Sequence, residues 1–333
     1  MITVLRKVDI GVMSAFGAAL VLVSMPLFSP TALAQTYPTK PIRIVVAGAP
    51  GGSPDILIRL MSPHLTEALG QQIIVDNRAG ASGLIGVEIV ARAAPDGYTL
   101  LMVTSSQACV EAMSRKPQYE IVKDFSPISL VGTVTSVLIV TPSVPATSIV
   151  ELVALAKSRP GVLKHGSSGP GSSSHLPAEI FKIRTGTDIL HVPYKASSQA
   201  IVGVMAGEVD MMFNPITSVM SMIKSGKLRA LGVTSLKRTS LALDLPSISE
   251  TIPDFEFLLW QGLLAPAKTP PEILSKLNTA VIKVLNTSAV QEGMAAIGNE
   301  PRGSSQLELT AFMNDYMKQI KETIRISGVK LED

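Results

Sequence analysis

The chain is 333 residues long, 46% hydrophobic and 17% charged, with a formal net charge of +3. That composition suits a packed globular protein of about two domains, and without a basic run it gives no reason to expect nucleic acid as a partner. The single cysteine, Cys109, excludes intramolecular disulfides and clustered-cysteine metal sites, and His64, His165, His175 and His191 lack metalloprotease spacing, so neither a metal nor a cofactor is expected.

Arg6 and Lys7 precede an apolar run from Ile10 to Phe28, and Ala32-Leu33-Ala34 follows. A basic start, an apolar stretch and an A-x-A site make a secretory signal peptide over residues 1–34, cleaved near Ala34. The alternative is a membrane anchor, which needs about 20 apolar residues, but Ser14, Ser24 and Pro26 interrupt this run. No long apolar run follows, so the mature chain is expected to be soluble.

Ile42-Arg43-Ile44-Val45-Val46 reads as a buried strand. The turn Ala49-Pro50-Gly51-Gly52-Ser53-Pro54-Asp55 leads from it into a helix that Gly70 stops. A glycine-rich turn at a helix start leaves N–H groups and the positive end of the helix dipole facing outward, where an anion can settle. The same turn could also need its glycines for backbone shape alone. Ile73 to Val75 is the second strand, a helix opened by Ala79-Gly80-Ala81-Ser82-Gly83 follows, and Tyr98 to Thr104 is the third strand. Ser105 stands at the carboxyl edge of that strand, where open α/β sheets bind ligands.

Leu130 to Thr141 is a long extended segment. Gly166-Ser167-Ser168-Gly169-Pro170-Gly171-Ser172-Ser173-Ser174-His175 then repeats the form of the first turn, between a short strand and a helix. Strands at Ile189 to Val192, Met211 to Phe213 and Leu228 to Thr234 follow, with Asn214 at the edge of the second of these, and Phe255 to Leu264 is another long extended run. This alternation predicts an α/β fold with mostly parallel sheets. The two long runs, about one domain apart, predict crossover strands. Lobe 1 would then hold residues 35–137 and 256–333, lobe 2 residues 138–255, and a ligand cleft would lie between them at a hinge.

Capping boxes are expected at Ser148 with Glu151, Thr269 with Glu272, Ser288 with Gln291 and Ser305 with Glu308. Neither glycine-rich turn has that spacing, so a ligand carboxylate could take the capping role there. Asp55 could cap its own helix or face the cleft.

At this point the chain resembles the Bug-type extracytoplasmic solute receptors of tripartite tricarboxylate transporters. The motifs that carry the resemblance are Pro50-Gly51-Gly52 with Asp55, Asp76-Asn77-Arg78-Ala79-Gly80-Ala81-Ser82-Gly83, Ala94-Pro95-Asp96-Gly97-Tyr98-Thr99-Leu100, His191-Val192-Pro193-Tyr194-Lys195 and Trp260-Gln261-Gly262-Leu263. The resemblance implies a type II periplasmic-binding-protein fold: two α/β lobes, joined by two crossover strands, that close on a small carboxylate. It implies a periplasmic, monomeric receptor that delivers its ligand to a membrane permease. Carried over, Gly51, Gly52 and Ser53 would form one jaw and Ser167, Ser168, Gly171 and Ser172 the other; by their own positions, Pro50 and Asp55 in the first turn and Ser105 and Asn214 at strand edges are further candidate contacts. Pro54, Ala196 and Ala49 depart from the family pattern and bear on ligand identity.

His175, His191, Tyr194 and Trp260 read more simply as structural residues, and Lys195 as part of a turn that could lend charge to an anion. A receptor that signals to a membrane sensor is the first alternative. An exported hydrolase is the second, but nucleophile elbow, Walker lysine and zinc spacing are all missing from the sequence.

Overall fold

The computed structural model describes residues 37–329; the signal-peptide reading falls on residues outside them. Lobe 1 begins with β1 (Ile42–Val46), α1 (Ser53–Leu69), β2 (Ile73–Asn77), α2 (Leu84–Ala91), β3 (Thr99–Thr104) and α3 (Ser105–Met113). Apolar side chains cover both faces of β1, with Ile42, Ile44, Val45 and Val46 all buried, as a central parallel strand requires. Leu57, Ile58, Met61, Leu65 and Leu69 line one face of α1 at helical spacing. They pack with Leu274, Leu277 and Val281 in one core, each full burial of such a side chain stabilising by ~1.5–3 kcal/mol. Gly70 ends α1 in the left-handed region at φ 70°, as its position after the last apolar residue predicts.

The long strand β4 (Phe125–Val140) connects the lobes. Its residues 125–135 pair with β9 (Leu258–Pro266), and from Ser136 to Val140 it pairs with β7 (Met211–Pro215). Lobe 2 holds α4 (Ile149–Ser158), β5 (Lys164–Ser167), α5 (Leu176–Thr185), β6 (Leu190–Pro193), α6 (Ser197–Ala206), β7, α7 (Ile216–Lys224) and β8 (Arg229–Val233). The return runs through Phe257, whose N–H donates to Thr234 O at 3.0 Å, into β9. Strand order is β2-β1-β3-β9-β4, continuing from β4 to β7-β5-β6. β1 is parallel to β2 and β3, and β5 to β6 and β7, whereas β9 is antiparallel to β3 and β4. This is the expected α/β architecture of two lobes joined by two crossover strands, but the expected mostly parallel pairing is corrected: the crossover strands are antiparallel to their neighbours, β4 to β7, β8 and β9 and β9 to β3, and only the outer strands of each lobe run parallel. α8 (Pro271–Leu285), α9 (Ser288–Ala296), β10 (Glu300–Pro301) and α10 (Gln306–Ser327) complete lobe 1. One apolar core runs through both lobes, joining Trp260 and Tyr316 to Phe181 and Phe213.

The capping expectations divide. Ser305 and Glu308 form a complete box, and Ser148 Oγ accepts from Glu151 N–H at 3.2 Å. The other two are corrected. α8 starts after Pro270, and the Thr269 hydroxyl donates back to Pro266 O at 2.8 Å. Ser288 lies inside α9, whose N-cap is Thr287 and carries no side-chain cap. A missing cap is therefore not confined to helices that face the cleft.

Candidate functional site

Three helix starts meet around a cavity of about 390 Å³. From lobe 1, the β1–α1 turn contributes Ala47, Ser53 and Pro54, and the β3–α3 junction contributes Thr104, Ser105, Ser106 and Gln107. From lobe 2 come Ser173 and the start of α7, with Pro215, Thr217 and Ser218; Val134, Leu259, Trp260, Gln261 and Ile297 complete the wall. None of the described residues that line the cavity is ionisable. Its polar groups are hydroxyls and amides.

The local sequence explains the arrangement. Parallel strands deliver helix N-termini to one sheet edge. α1 follows Gly52 and α7 follows Pro215, neither with a side-chain cap. α3 is capped from within, because Thr104 Oγ1 accepts from Ser106 N–H at 3.2 Å and Gln107 Oε1 accepts from Thr104 N–H at 2.9 Å. A carboxylate held at such helix starts gains about 0.3–1 kcal/mol from each dipole, rising to ~2 when partly buried.

Of the residues expected to grip a ligand, Ser53 and Ser105 line this cavity. Ser168, Gly171 and Ser172 line a second cavity of about 310 Å³, and Ser106 and Ser173 line both. Pro50, Gly51, Gly52 and Asp55 line neither. The Gly51 N–H donates to Asp55 Oδ2 at 2.8 Å, and Arg59 Nε donates to Oδ1 at 2.8 Å. Burial raises the Asp55 carboxyl, but bonds from Gly51 N–H, Asn77 and Arg59 outweigh it and hold the group below the usual carboxylate range. Asp55 therefore braces its own turn, which corrects its expected cleft-facing role and the expected freedom of the Gly51 N–H. Ser167 is fully buried, and its hydroxyl lies 2.6 Å from His191 Nε2. Asn214 is buried one residue behind Pro215, with its Oδ1 accepting from Ser197 Oγ at 3.3 Å. Neither belongs to the wall.

The second glycine-rich turn is held from behind by histidines. The His191 ring stacks on His175 at 3.9 Å and on His165 at 4.7 Å between centroids. His175 Nδ1 accepts from the Gly171 N–H at 3.0 Å, which assigns that ring's proton to Nε2, 3.4 Å from Glu179 Oε1. That bond also corrects the expectation that the Gly171 N–H awaits a ligand. His165, His175 and Glu179 bring potential ligand atoms within 4.8 Å of one another. A cation there would have to displace Lys182 Nζ, which lies 2.9 Å from Glu179 Oε1, and take a nitrogen that already carries a proton. The cluster is better satisfied as a hydrogen-bonded brace.

Its protonation sets a pH dependence. Burial and the neighbouring His175 and His165 push His191 down to about 3, and burial lowers His165 too. Glu179 is raised by burial, but its bonds from His165, His175 and Lys182 hold it well below the carboxylate range. An unfolded histidine takes a proton near pH 6.5, so these histidines contribute stability above that value and progressively less as pH falls toward 3. Glu179 acts in the same direction below its unfolded value of about 4.3. The urea midpoint is expected to fall steadily from pH 7 to pH 4.5, with a shallower fall in His191→Asn. A flat midpoint over this range would contradict the brace.

Sequence reasoning missed Thr217, Ser218, Trp260 and Gln261 as wall residues. The start of α7 was open to inference, because Pro215-Ile216-Thr217-Ser218 follows the carboxyl end of a strand. Nothing in the local pattern of β9 marks Gln261 as facing a cavity.

Two α/β lobes with a cavity at their facing helix starts define a solute receptor of the periplasmic-binding type. More narrowly, the chain belongs to the family described as "Tripartite tricarboxylate transporter family receptor", which matches residues 57–329. It is 36% identical to the protein BugT of Bordetella pertussis over 90% of this chain and 93% of that one. Among solved structures, the periplasmic binding protein BugD is 32% identical, with a TM-score of 0.69 over 88% of this chain and 99% of that one. An R. palustris protein solved with adipate is 33% identical, with a TM-score of 0.72 over 88% and 99%. MatC from Rhodopseudomonas palustris, with bound malate, is 27% identical, with a TM-score of 0.68 over 86% and 100%.

Proposed function

We propose that this receptor is exported, cleaved near Ala34, and captures a small carboxylate in the cleft as a periplasmic monomer. Lobe 1 (residues 35–137 and 256–333) and lobe 2 (residues 138–255) close on the acid by bending at the crossover strands. The loaded form delivers it to a tripartite tricarboxylate-type membrane permease. The observation that carries this reading is the cavity itself: helix starts from both lobes surround it, and its lining offers hydroxyl and amide donors with no fixed negative charge. An anion gains there from dipoles and hydrogen bonds. The adipate and malate held by the two R. palustris relatives are consistent with an acid of this size. A role in signalling to a membrane sensor would use the same closure with a different partner.

Hydrolase chemistry is disfavoured by the one close serine–histidine pair at the second turn. Ser167 is fully buried and its hydroxyl also accepts from Gly169 N–H at 3.0 Å, while burial and the neighbouring His175 and His165 hold His191 down to about 3, too low for a general base near neutral pH.

A thermal-shift screen of mature protein against C3–C8 mono-, di- and tricarboxylates tests the proposal, because occupancy stabilises by RT ln(1 + [L]/Kd). At least one acid is expected to raise the melting temperature. A panel with no upshift overturns the ligand class.

A further inference from the structure

The second cavity, of about 310 Å³, continues the first, with Ser106 and Ser173 standing in the wall of both. Its floor is one face of α3. Ser106, Cys109, Val110 and Met113 recur there at i, i+3, i+4 and i+7, so the floor passes from a hydroxyl through a thiol and a valine to a thioether at the last residue of the helix. Burial pushes the Cys109 thiol up to about 11, which keeps it neutral. The opposite wall is the second glycine-rich turn, whose backbone donors are already spent. The Ser168 N–H donates to Ser174 Oγ at 2.9 Å, the Gly169 N–H to Ser167 Oγ at 3.0 Å, the Gly171 N–H to His175 Nδ1 at 3.0 Å and the Ser172 N–H to Gly169 O at 3.3 Å. Pro170 has no N–H to give. The Ser168 and Ser172 hydroxyls each lie 3.2 Å from Ser174 Oγ. None of the described residues that line this chamber carries a charge.

We infer that this second cavity is the tail subsite of the receptor, taking the uncharged alkyl or aryl end of a monocarboxylic acid whose carboxylate lies in the first cavity. The inference rests on the carboxylate reading above and names the class of acid within it. The carboxylate stays beside the starts of α1, α3 and α7, and the tail passes Ser106 and Ser173 and follows the α3 face toward Met113. A second carboxylate at that depth would give up its hydration. It would find no cation in the lining and no unspent N–H from Ser168 to Ser172, and it would meet the negative end of the α3 dipole. An apolar tail needs none of these and gains from burial against Val110 and Met113. Met113 closes the far end against Gly171, where a Cβ would lie 2.7 Å from Met113 Cγ. Its unbranched thioether can repack around tails of different length.

The test is calorimetric titration of mature protein with the straight-chain monocarboxylates from propionate to octanoate, with benzoate, and with succinate, adipate and suberate. Affinity is expected to rise about fourfold for each added methylene over at least three steps of the monocarboxylate series. Hexanoate is expected to bind at least about tenfold more tightly than adipate, which has the same chain length and a second charge. Val110 is half-buried in the chamber floor, and Val110→Lys would place there the cation that a second carboxylate lacks. In that variant the ratio of adipate to hexanoate affinity should rise at least about tenfold. Circular dichroism and the melting temperature of the free variant establish that it is folded, and the wild-type series stands as a test without any substitution. Adipate bound as tightly as hexanoate, a flat monocarboxylate series, or an unchanged ratio in folded Val110→Lys would overturn the tail subsite while leaving the carboxylate reading in place. If no acid in the set binds, both fall.

Discussion

Ser106→Asp is expected to weaken carboxylate binding at least about tenfold while leaving the free protein as stable as before, or slightly more so. Ser106 is the second residue of α3, exposed, and faces both cavities. An acidic side chain in a first turn interacts favourably with the helix dipole, by about 0.3–1 kcal/mol at an exposed position. The same charge opposes an anion in the cleft. Two like charges ~4 Å apart repel by about 1 kcal/mol in water and about 4 kcal/mol at an effective dielectric of 20. Few substitutions move fold stability and ligand affinity in opposite directions. Titration and urea unfolding of the same preparation read both, and undiminished acid binding in a folded Ser106→Asp protein would remove α3 from the site.

Gly83→Val is expected to cost about 2–5 kcal/mol of stability, the sum of a left-handed backbone penalty and overpacking. Gly83 has φ 94°, and a Cβ there would lie 2.5 Å from Gln107 Nε2 and 2.8 Å from Ala47 O. Those two groups are bonded to each other at 3.3 Å, and both residues line the cleft. The added methyls would therefore push apart the β1 and α3 sides of the wall. Gly51→Ala is the comparison: its φ is 76° but its Cβ would meet nothing within 4 Å, so only the backbone part, ~1–2 kcal/mol, applies. Equal losses in the two variants would show that the contact at Gly83 is not what holds the wall.

The parts of the molecule that could be read from sequence share a physical origin. Val45, Val46, Leu101 and Val103 are buried by the sheet whatever ligand is present, so apolar runs located β1 and β3. The length of β4 and β9 marked them as extended runs, and β4 changes partner from β9 to β7 between Thr135 and Ser136. The glycine-rich turns led to Ser53 in one lobe and to Ser168, Gly171 and Ser172 in the other.

What escaped was the allocation of individual N–H groups. Whether the Gly51 N–H is free depends on the rotamer of Asp55, and whether the Gly171 N–H is free depends on a histidine four residues on. The stack of His165, His175 and His191 draws on β5, the start of α5 and β6, so no sequence spacing announces it. Gln261 is placed in the cavity wall by antiparallel pairing across more than a hundred residues, which also brings its Nε2 to Ser53 Oγ.

The most direct test is calorimetric titration of mature protein with C3–C8 carboxylic acids beside their uncharged amides, adipate and adipamide among them. Saturable one-to-one binding of at least one acid, with its amide bound at least about a hundredfold more weakly, is the result that charge recognition at the helix starts predicts. Equal affinity for acid and amide, or binding of neither across the series, would contradict it.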